Sequence, residues 1–320
     1  MTARIIGTGS AVPEQIVTNE DLSKIVETSD EWISSRSGIK ERRVAKEETT
    51  TSLAILAGKR ALENAGIASE EIEVIIVATC TPDCFFPNTA CQVQEAIGAK
   101  HAVAFDLSAA CSGFLFALST AQAYIKGGIY QKALIIGAET MSKMIDWSDR
   151  STCVLFGDGA GAVVLKAEES GRYAQVTQSI GKKGGALTLR SRNQIQYETD
   201  PKAKETYIQM NGKEVFTFAV SKVPEAVKNL LSREKVPCED IRYYLLHQAN
   251  ERIIRSAARR IGEDISKFPM NMDEYGNTSS ASLLILLDEV KKSGKLQRGD
   301  KLILAGFGGG LTYGASLIEY

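Results

Sequence analysis

Cys111, in the stretch DLSAACSGFLFAL, is the residue best placed in this sequence to be a nucleophile. The apolar run after it has helical spacing. That puts the thiol in the first turn of a helix, where the positive end of the helix dipole favours thiolate. Its neighbours Ala109, Ala110, Ser112 and Gly113 are small enough to admit an acyl group, and its own amide N–H is placed to face an oxyanion. Two more residues could complete such a site. His247, in LLHQAN, is one of only two histidines and follows a strand end, where open α/β sheets hold ligands. Asn277, in EYGNTSSAS, carries an amide that can donate to developing charge. Taken singly, each has a plainer reading. A free cysteine is commonly a small buried hydrophobe, a strand-end histidine a structural group, and Gly-Asn before a helix a turn with its cap.

Bringing three distant side chains together needs a frame, and the chain alternates strand and helix patterns as α/β proteins do. RIIGTGSAV reads as an opening strand, residues 50–64 as a helix, and EVIIVATCTP as a strand buried on both faces. A helix from about Ala90 leads to VAFDLS, read as another buried strand. CSGFLFALSTAQAYIKGG is a helix closed by Gly127 and Gly128, and KALIIGAET and GAGAVVLKA supply further strands. The later half repeats this order. RYYLLHQAN corresponds to VIIVATCTP, GNTSSASLLILLDEVKKSGKL to the helix at Cys111, KLILAGFGGG to ALIIGAET, and TYGASLIEY to GAGAVVLKA. Two similar halves are therefore expected, residues 1–170 carrying the cysteine and 171–320 carrying His and Asn. Between them, residues 179–206 read as surface loops or a hairpin. A pseudo-two-fold packing would place Cys111 and Asn277 at facing helix starts, with His247 in the same zone.

Composition narrows the function. With 320 residues, 44% hydrophobic and 24% charged, the chain reads as a soluble globular protein of two domains or one large duplicated fold. A formal charge of −1 gives no overall field toward nucleic acid or a membrane surface, so charge recognition must be local. The opening MTARIIGTGSAVPEQ is broken by glycines and no apolar run reaches membrane length, so a cytoplasmic location is expected. The six cysteines then read as reduced thiols. Cys80, Cys84 and Cys91 lack zinc-knuckle spacing, so no metal is expected. GTGSAV lacks the third glycine and following helix of a dinucleotide fingerprint.

DLSAACSGFLFAL, LLHQAN, GNTSSAS and AGFGGGLTYGA together resemble the signature blocks of the β-ketoacyl-acyl-carrier-protein synthase III family, the initiating condensing enzymes of bacterial-type fatty acid synthesis. TSDEWISSRSGI, CFFPNTACQVQ and DRSTCVLFGDGAGAVVL are similar to further segments of that family, so the resemblance runs essentially the full length. It implies an α/β, thiolase-like fold of two duplicated βαβαβαββ halves in an αβαβα layered arrangement, usually a homodimer. Elongating relatives pair their cysteine with two histidines, thiolases with a second cysteine, and hydroxymethylglutaryl-CoA synthases with an acid. Here the set is Cys–His–Asn. Chalcone-type synthases share it, on longer chains without the GNTSSAS and WISSRSGI blocks.

By this resemblance Cys111 takes a short acyl group from acyl-CoA. Malonyl-acyl carrier protein then loses carbon dioxide, and its enolate attacks acyl-Cys111 to release 3-oxoacyl-carrier protein. His247 and Asn277 would both donate to the thioester oxygen, and the N–H groups of Cys111 and Gly309 would form a second oxyanion hole. Phe307 would pack between the cysteine and the two donors, and Phe86 would reach across the dimer into the partner's acyl pocket. Trp32, Arg36 and Arg150 match the family's coenzyme A set. Gln248, Arg252, Arg255 and Arg259 are the expected carrier-protein surface, the three arginines sharing one helix face. Acyl-CoA would be a substrate, and no cofactor is implied. Two other readings stay open on the residues: a condensing enzyme of secondary metabolism with a different acceptor, and a cysteine thioester hydrolase with His247 as base.

Overall fold

A computed structural model describes residues 1–190 and 207–320; residues 191–206 of the expected loop or hairpin lie outside the described residues. Two sheets form the frame. The first holds β1 (Thr2–Ala11), β2 (Val74–Ala78), β3 (Val103–Leu107), β4 (Lys132–Thr140) and β5 (Asp158–Glu168) in the order β1-β5-β4-β2-β3. The second holds β6 (Tyr173–Ser179), β7 (Ile241–Leu246), β8 (Lys301–Gly308) and β9 (Thr312–Glu319) in the order β7-β8-β9-β6. β2 runs parallel to both neighbours and is buried throughout, as its unbroken apolar sequence requires.

Helices fill the spaces around these sheets. α1 (Asp30–Ser37) packs on the helix of residues 251–261, and α2 (Thr50–Ala65) and α3 (Thr89–Ile97) cover the outer face of the first sheet. α5 (Gly212–Glu234) and α6 (Glu251–Ile261) cover the second. Between the sheets lie α4 (Gly113–Lys126) and α7 (Ser282–Lys292), giving five layers, αβαβα. Leu118, Ile125, Leu286 and Leu287 of these central helices share one core with Ile76, Ile135, Leu302 and Leu304 of the two sheets. Each such side chain contributes about 1.5–3 kcal/mol by leaving water. The chain segment opening α7 lies directly on the first sheet. A Cβ on Gly137 would stand 2.5 Å from the Ser280 carbonyl oxygen, and one on Gly161 2.4 Å from Leu284 Cβ. Glycine in two adjacent strands is what admits the GNTSSAS block to the centre of the molecule.

Two elements differ from the sequence reading. β3 is not buried: it is the edge of its sheet, paired with β2 alone, and Val103 is 51% exposed. Among the described residues the second sheet has four strands. The segment matching β3 in the repeat contains Pro269, which has no N–H to give a ladder, and the Asn271 N–H goes to Gln248 Oε1 at 3.0 Å.

Candidate active site

Cys111 sits in a single 3-10 turn, Ala110–Ser112, that runs into α4. Ala110 before it takes the left-handed region at φ +47°, at a cost of roughly 1–2 kcal/mol for a residue with a β-carbon. The end of β8 crosses the turn so closely that a Cβ on Gly308 would stand 2.8 Å from the Cys111 nitrogen. Gly309, the expected oxyanion donor, lies beside Ala110 (its Cβ position 3.4 Å from Ala110 Cβ). The helix start was expected to favour thiolate, but burial outweighs it. Burial pushes the Cys111 thiol up to about 12, with the Ser279 hydroxyl acting the other way. At rest Cys111 is a thiol.

His247 follows β7, its N–H bonded to Ala305 O at 2.9 Å and its ring edge-on to Phe307 at 5.4 Å between centroids. Nδ1 lies 2.6 Å from Ser282 Oγ, and Nε2 is buried with no hydrogen-bond partner. With the hydroxyl donating to Nδ1, the ring proton sits on Nε2 and points into the site. Burial lowers the imidazole to about 3, so His247 is neutral. Ser282→Ala removes the group that selects this tautomer. We expect condensation about tenfold slower, the worth of one hydrogen bond, with acyl loading unchanged in single-turnover kinetics.

Asn277 does not itself stand at a helix start. Ser279–Ala281 forms a 3-10 turn ahead of α7, and within it Ser279 takes φ +50° as Ala110 does in the first half. Ser280 is therefore the positional counterpart of Cys111, and Asn277 lies three residues before it. Its main chain is clamped, the N–H donating to Leu155 O at 2.9 Å and the carbonyl accepting from Gly157 N at 3.0 Å. The Ser279 N–H holds Oδ1 at 2.9 Å, which leaves the NH2 for the cavity.

Cys111, His247, Asn277, Phe307 and Gly308 line one cavity of about 220 Å³, with Met210 and Phe216 on its wall. Trp32 lies outside this lining, with the Arg36 and Arg150 guanidinium carbons 4.5 Å and 4.9 Å from its ring centroid. The Arg36 carbonyl accepts from Asn250 Nδ2 at 2.9 Å, tying α1 to the loop that carries His247. Phe86 is away from the cavity and 87% exposed in the single chain. Arg252, Arg255 and Arg259 share a surface groove beside Phe216, with Arg255 held to Glu251 at 2.6 Å. Gln248 was expected to meet the carrier protein, and the structure corrects this. It is 1% exposed, donating to Leu246 O at 2.7 Å and accepting from Asn271 N, so its amide braces the loop from inside. Among the described residues no group of three His, Cys, Asp or Glu could hold a metal ion.

Sequence reasoning passed over Ser279, Ser282 and Glu139. Serines after Gly-Asn read as cap chemistry. Glu139 did carry a signal, an acid closing an otherwise apolar buried strand in KALIIGAET.

Comparison with known proteins places these features in a family. Residues 105–184 match the model of 3-oxoacyl-[acyl-carrier-protein] synthase III, and residues 231–320 match its C-terminal model. The β-ketoacyl-[acyl-carrier-protein] synthase III of Clostridium acetobutylicum is 50% identical over 100% of this chain and 99% of its own length. The crystal structure of 3-oxoacyl-[acyl-carrier-protein] synthase III from Aquifex aeolicus superposes with a TM-score of 0.93 at 46% identity, covering 99% of this chain and 100% of that one. The priming β-ketosynthase of the R1128 polyketide pathway superposes with a TM-score of 0.94 at 35% identity, covering 99% of this chain and 96% of that one. A cysteine, a histidine and an asparagine on one cavity, in a duplicated five-layer fold with full-length relatives at half identity, leave one conclusion: the chain belongs to the β-ketoacyl-acyl-carrier-protein synthase III family.

Proposed function

We propose that the chain condenses a short-chain acyl-CoA with malonyl-acyl carrier protein, giving 3-oxoacyl-acyl carrier protein and initiating fatty acid synthesis. The observation that carries this is a thiol and two neutral donors lining a single cavity. Acylation comes first. Cys111 attacks the acyl-CoA carbonyl, and the N–H groups of Cys111 and Gly309 receive the oxyanion. In the second half-reaction His247 Nε2–H and the Asn277 amide donate to the malonyl thioester oxygen as carbon dioxide leaves. The enolate they stabilise attacks acyl-Cys111. A neutral pair suits this step, because an anion at either position would oppose the developing charge.

Trp32 with Arg36 and Arg150 is a platform for the adenine of coenzyme A, an aromatic face set against guanidinium groups. Acyl carrier protein, an acidic partner, meets the groove of Arg252, Arg255 and Arg259. Phe216 lines both this groove and the catalytic cavity, and the Arg252 guanidinium lies over its ring at 5.4 Å. Arg252→Glu is expected to raise KM for malonyl-carrier protein about tenfold and leave acyl loading from CoA unchanged in a burst assay. The half-exposed edge of β3, with Phe85 and Phe86 nearby in the chain at 68% and 87% exposure, supports a homodimer in which Phe86 enters the partner's pocket. Six free cysteines fit a reducing, cytoplasmic compartment.

A panel of acyl-CoAs with malonyl-carrier protein, read by product mass, tests this function. The expected product is a carrier-bound 3-oxoacyl chain two carbons longer than the primer. Likeness to the R1128 priming β-ketosynthase supports a second reading, the same condensation at the head of a secondary-metabolite pathway. Free acid as the sole product would instead mark a hydrolase. That reading wants an acid or amide behind the histidine, whereas Nδ1 meets a serine hydroxyl.

A further inference from the structure

Acyl transfer to Cys111 has to dispose of a proton. The thiol is buried, and His247, held neutral by its own burial, is poorly suited to take it. One carboxyl group is built into this centre. Glu139, at the end of β4, is fully buried and takes donors from both halves of the molecule. Oε2 accepts from Thr81 Oγ1 at 2.6 Å, Cys80 N at 3.1 Å and Thr79 Oγ1 at 3.2 Å. Oε1 accepts from Ser280 Oγ at 2.8 Å and Ser279 Oγ at 3.2 Å. The Ser279 hydroxyl also acts on the Cys111 thiol, opposing the rise that burial causes, and the turns Ala110–Ser112 and Ser279–Ala281 pack on one another. The left-handed backbone of Ser279, at φ +50°, is what sets that hydroxyl between thiol and carboxylate.

We propose that Glu139 is the proton acceptor for Cys111, acting through the Ser279 hydroxyl. As the thioester carbonyl reaches Sγ, the S–H proton passes to Ser279 Oγ while the Ser279 proton passes to Glu139 Oε1. A sulfur lone pair forms the new C–S bond, and the C–S bond to coenzyme A breaks. The departing thiolate takes up a proton, and Glu139 returns to carboxylate as it gives up its own. In the second half-reaction, carbon–carbon bond formation expels Cys111 as thiolate, and because Glu139 is by then a carboxylate again, the proton that restores the thiol comes from solvent through the cavity. The surroundings of Oε1 allow the change of charge. Ser280 Oγ has a second acceptor in Ala78 O at 2.9 Å, so its hydrogen can turn away when Oε1 becomes a hydroxyl. Burial raises the Glu139 carboxyl, which makes its carboxylate a better proton acceptor than an exposed one. The other titratable groups facing the carboxylate are the thiols of Cys80, 3.4 Å from either oxygen, and Cys111.

This inference rests on Cys111 as the nucleophile, and its test uses iodoacetamide, which reports thiolate without acyl-CoA. A failure here is therefore distinct from a failure of the proposed function. Alkylation of Cys111 is followed by peptide mass against pH, with exposed Cys91 in the same digest as control. In Glu139→Gln and in Ser279→Ala we expect Cys111 alkylation near neutral pH to slow on the order of 10²-fold, with its pH midpoint moved upward and Cys91 unchanged. Glu139→Asp should return part of the rate, and Glu139→Gln/Ser279→Ala should lose no more than either single variant. A purely structural role would change the rate alike at every pH. A wild-type midpoint in Glu139→Gln, or losses that multiply in the double variant, would overturn the proposal.

Discussion

Cys111→Ala will form no acyl-enzyme with any acyl-CoA, and its condensation rate will fall on the order of 10⁴-fold or more, as when other covalent nucleophiles are removed. The substitution deletes only Sγ. It leaves the Cys111 backbone N–H beneath Gly308 and does not touch His247 or Asn277. The same variant should therefore still release carbon dioxide from malonyl-carrier protein, because that step needs the two donors and not the thiol. Cys111→Ser is expected to follow Ala in loading, since a serine hydroxyl is far harder to deprotonate in so buried a position. Intact mass after incubation with acyl-CoA reads the first step, and carbon dioxide release reads the second. An acyl adduct that persists on Cys111→Ala would place the nucleophile elsewhere. Loss of both steps together would mean that the thiol, or the fold around it, also serves decarboxylation.

What the sequence could and could not convey follows from the kind of information each residue carries. The frame was legible because buried parallel strands are written as unbroken apolar runs and the second half repeats the first. The trio was legible because a cysteine, a scarce histidine and an asparagine each stand at a strand end or helix approach within similar blocks. The state of the thiol was not. Helix position argues for thiolate, whereas burial is a sum over neighbours distant in sequence that no local pattern records. Gln248 was misread for a related reason. It follows His247 in the chain, but the loop turns its amide inward onto Leu246 O and Asn271 N. β3 has a strand's composition in either setting, and only sheet order makes it an edge. Glu139 gathers its partners from Thr79, Cys80, Thr81, Ser279 and Ser280, contacts that span 58 to 141 positions in sequence. Hydroxyl side chains with long-range roles are indistinguishable from caps until the chain is folded.

His247→Ala and Asn277→Ala should separate the two half-reactions in the opposite sense. Each is expected to load acyl groups at close to the wild-type rate and to lose about 10²–10³-fold in decarboxylation, the cost of one donor to a developing oxyanion. His247 offers Nε2–H from a site with no competing partner, and Asn277 offers an NH2 whose orientation is fixed by the Ser279 N–H on Oδ1. Asn277→Asp should fall below Asn277→Ala, because it sets a carboxylate against the charge that forms. The pH behaviour has a definite sign. With the folded imidazole lowered to about 3, His247 stays neutral throughout the neutral range, and decarboxylation should show no acid limb from this group between about pH 8 and 5.5. The unfolded chain binds a proton at this histidine below about pH 6.5, whereas the folded chain refuses it. Folded-state stability is therefore lost from that point downward, and the urea midpoint of His247→Ala should decline less steeply with falling pH than that of the wild type. A decarboxylation rate that drops through pH 6.5 would show that imidazolium forms in the folded site. It would remove His247 as a neutral donor and leave Asn277 as the group that meets the enolate.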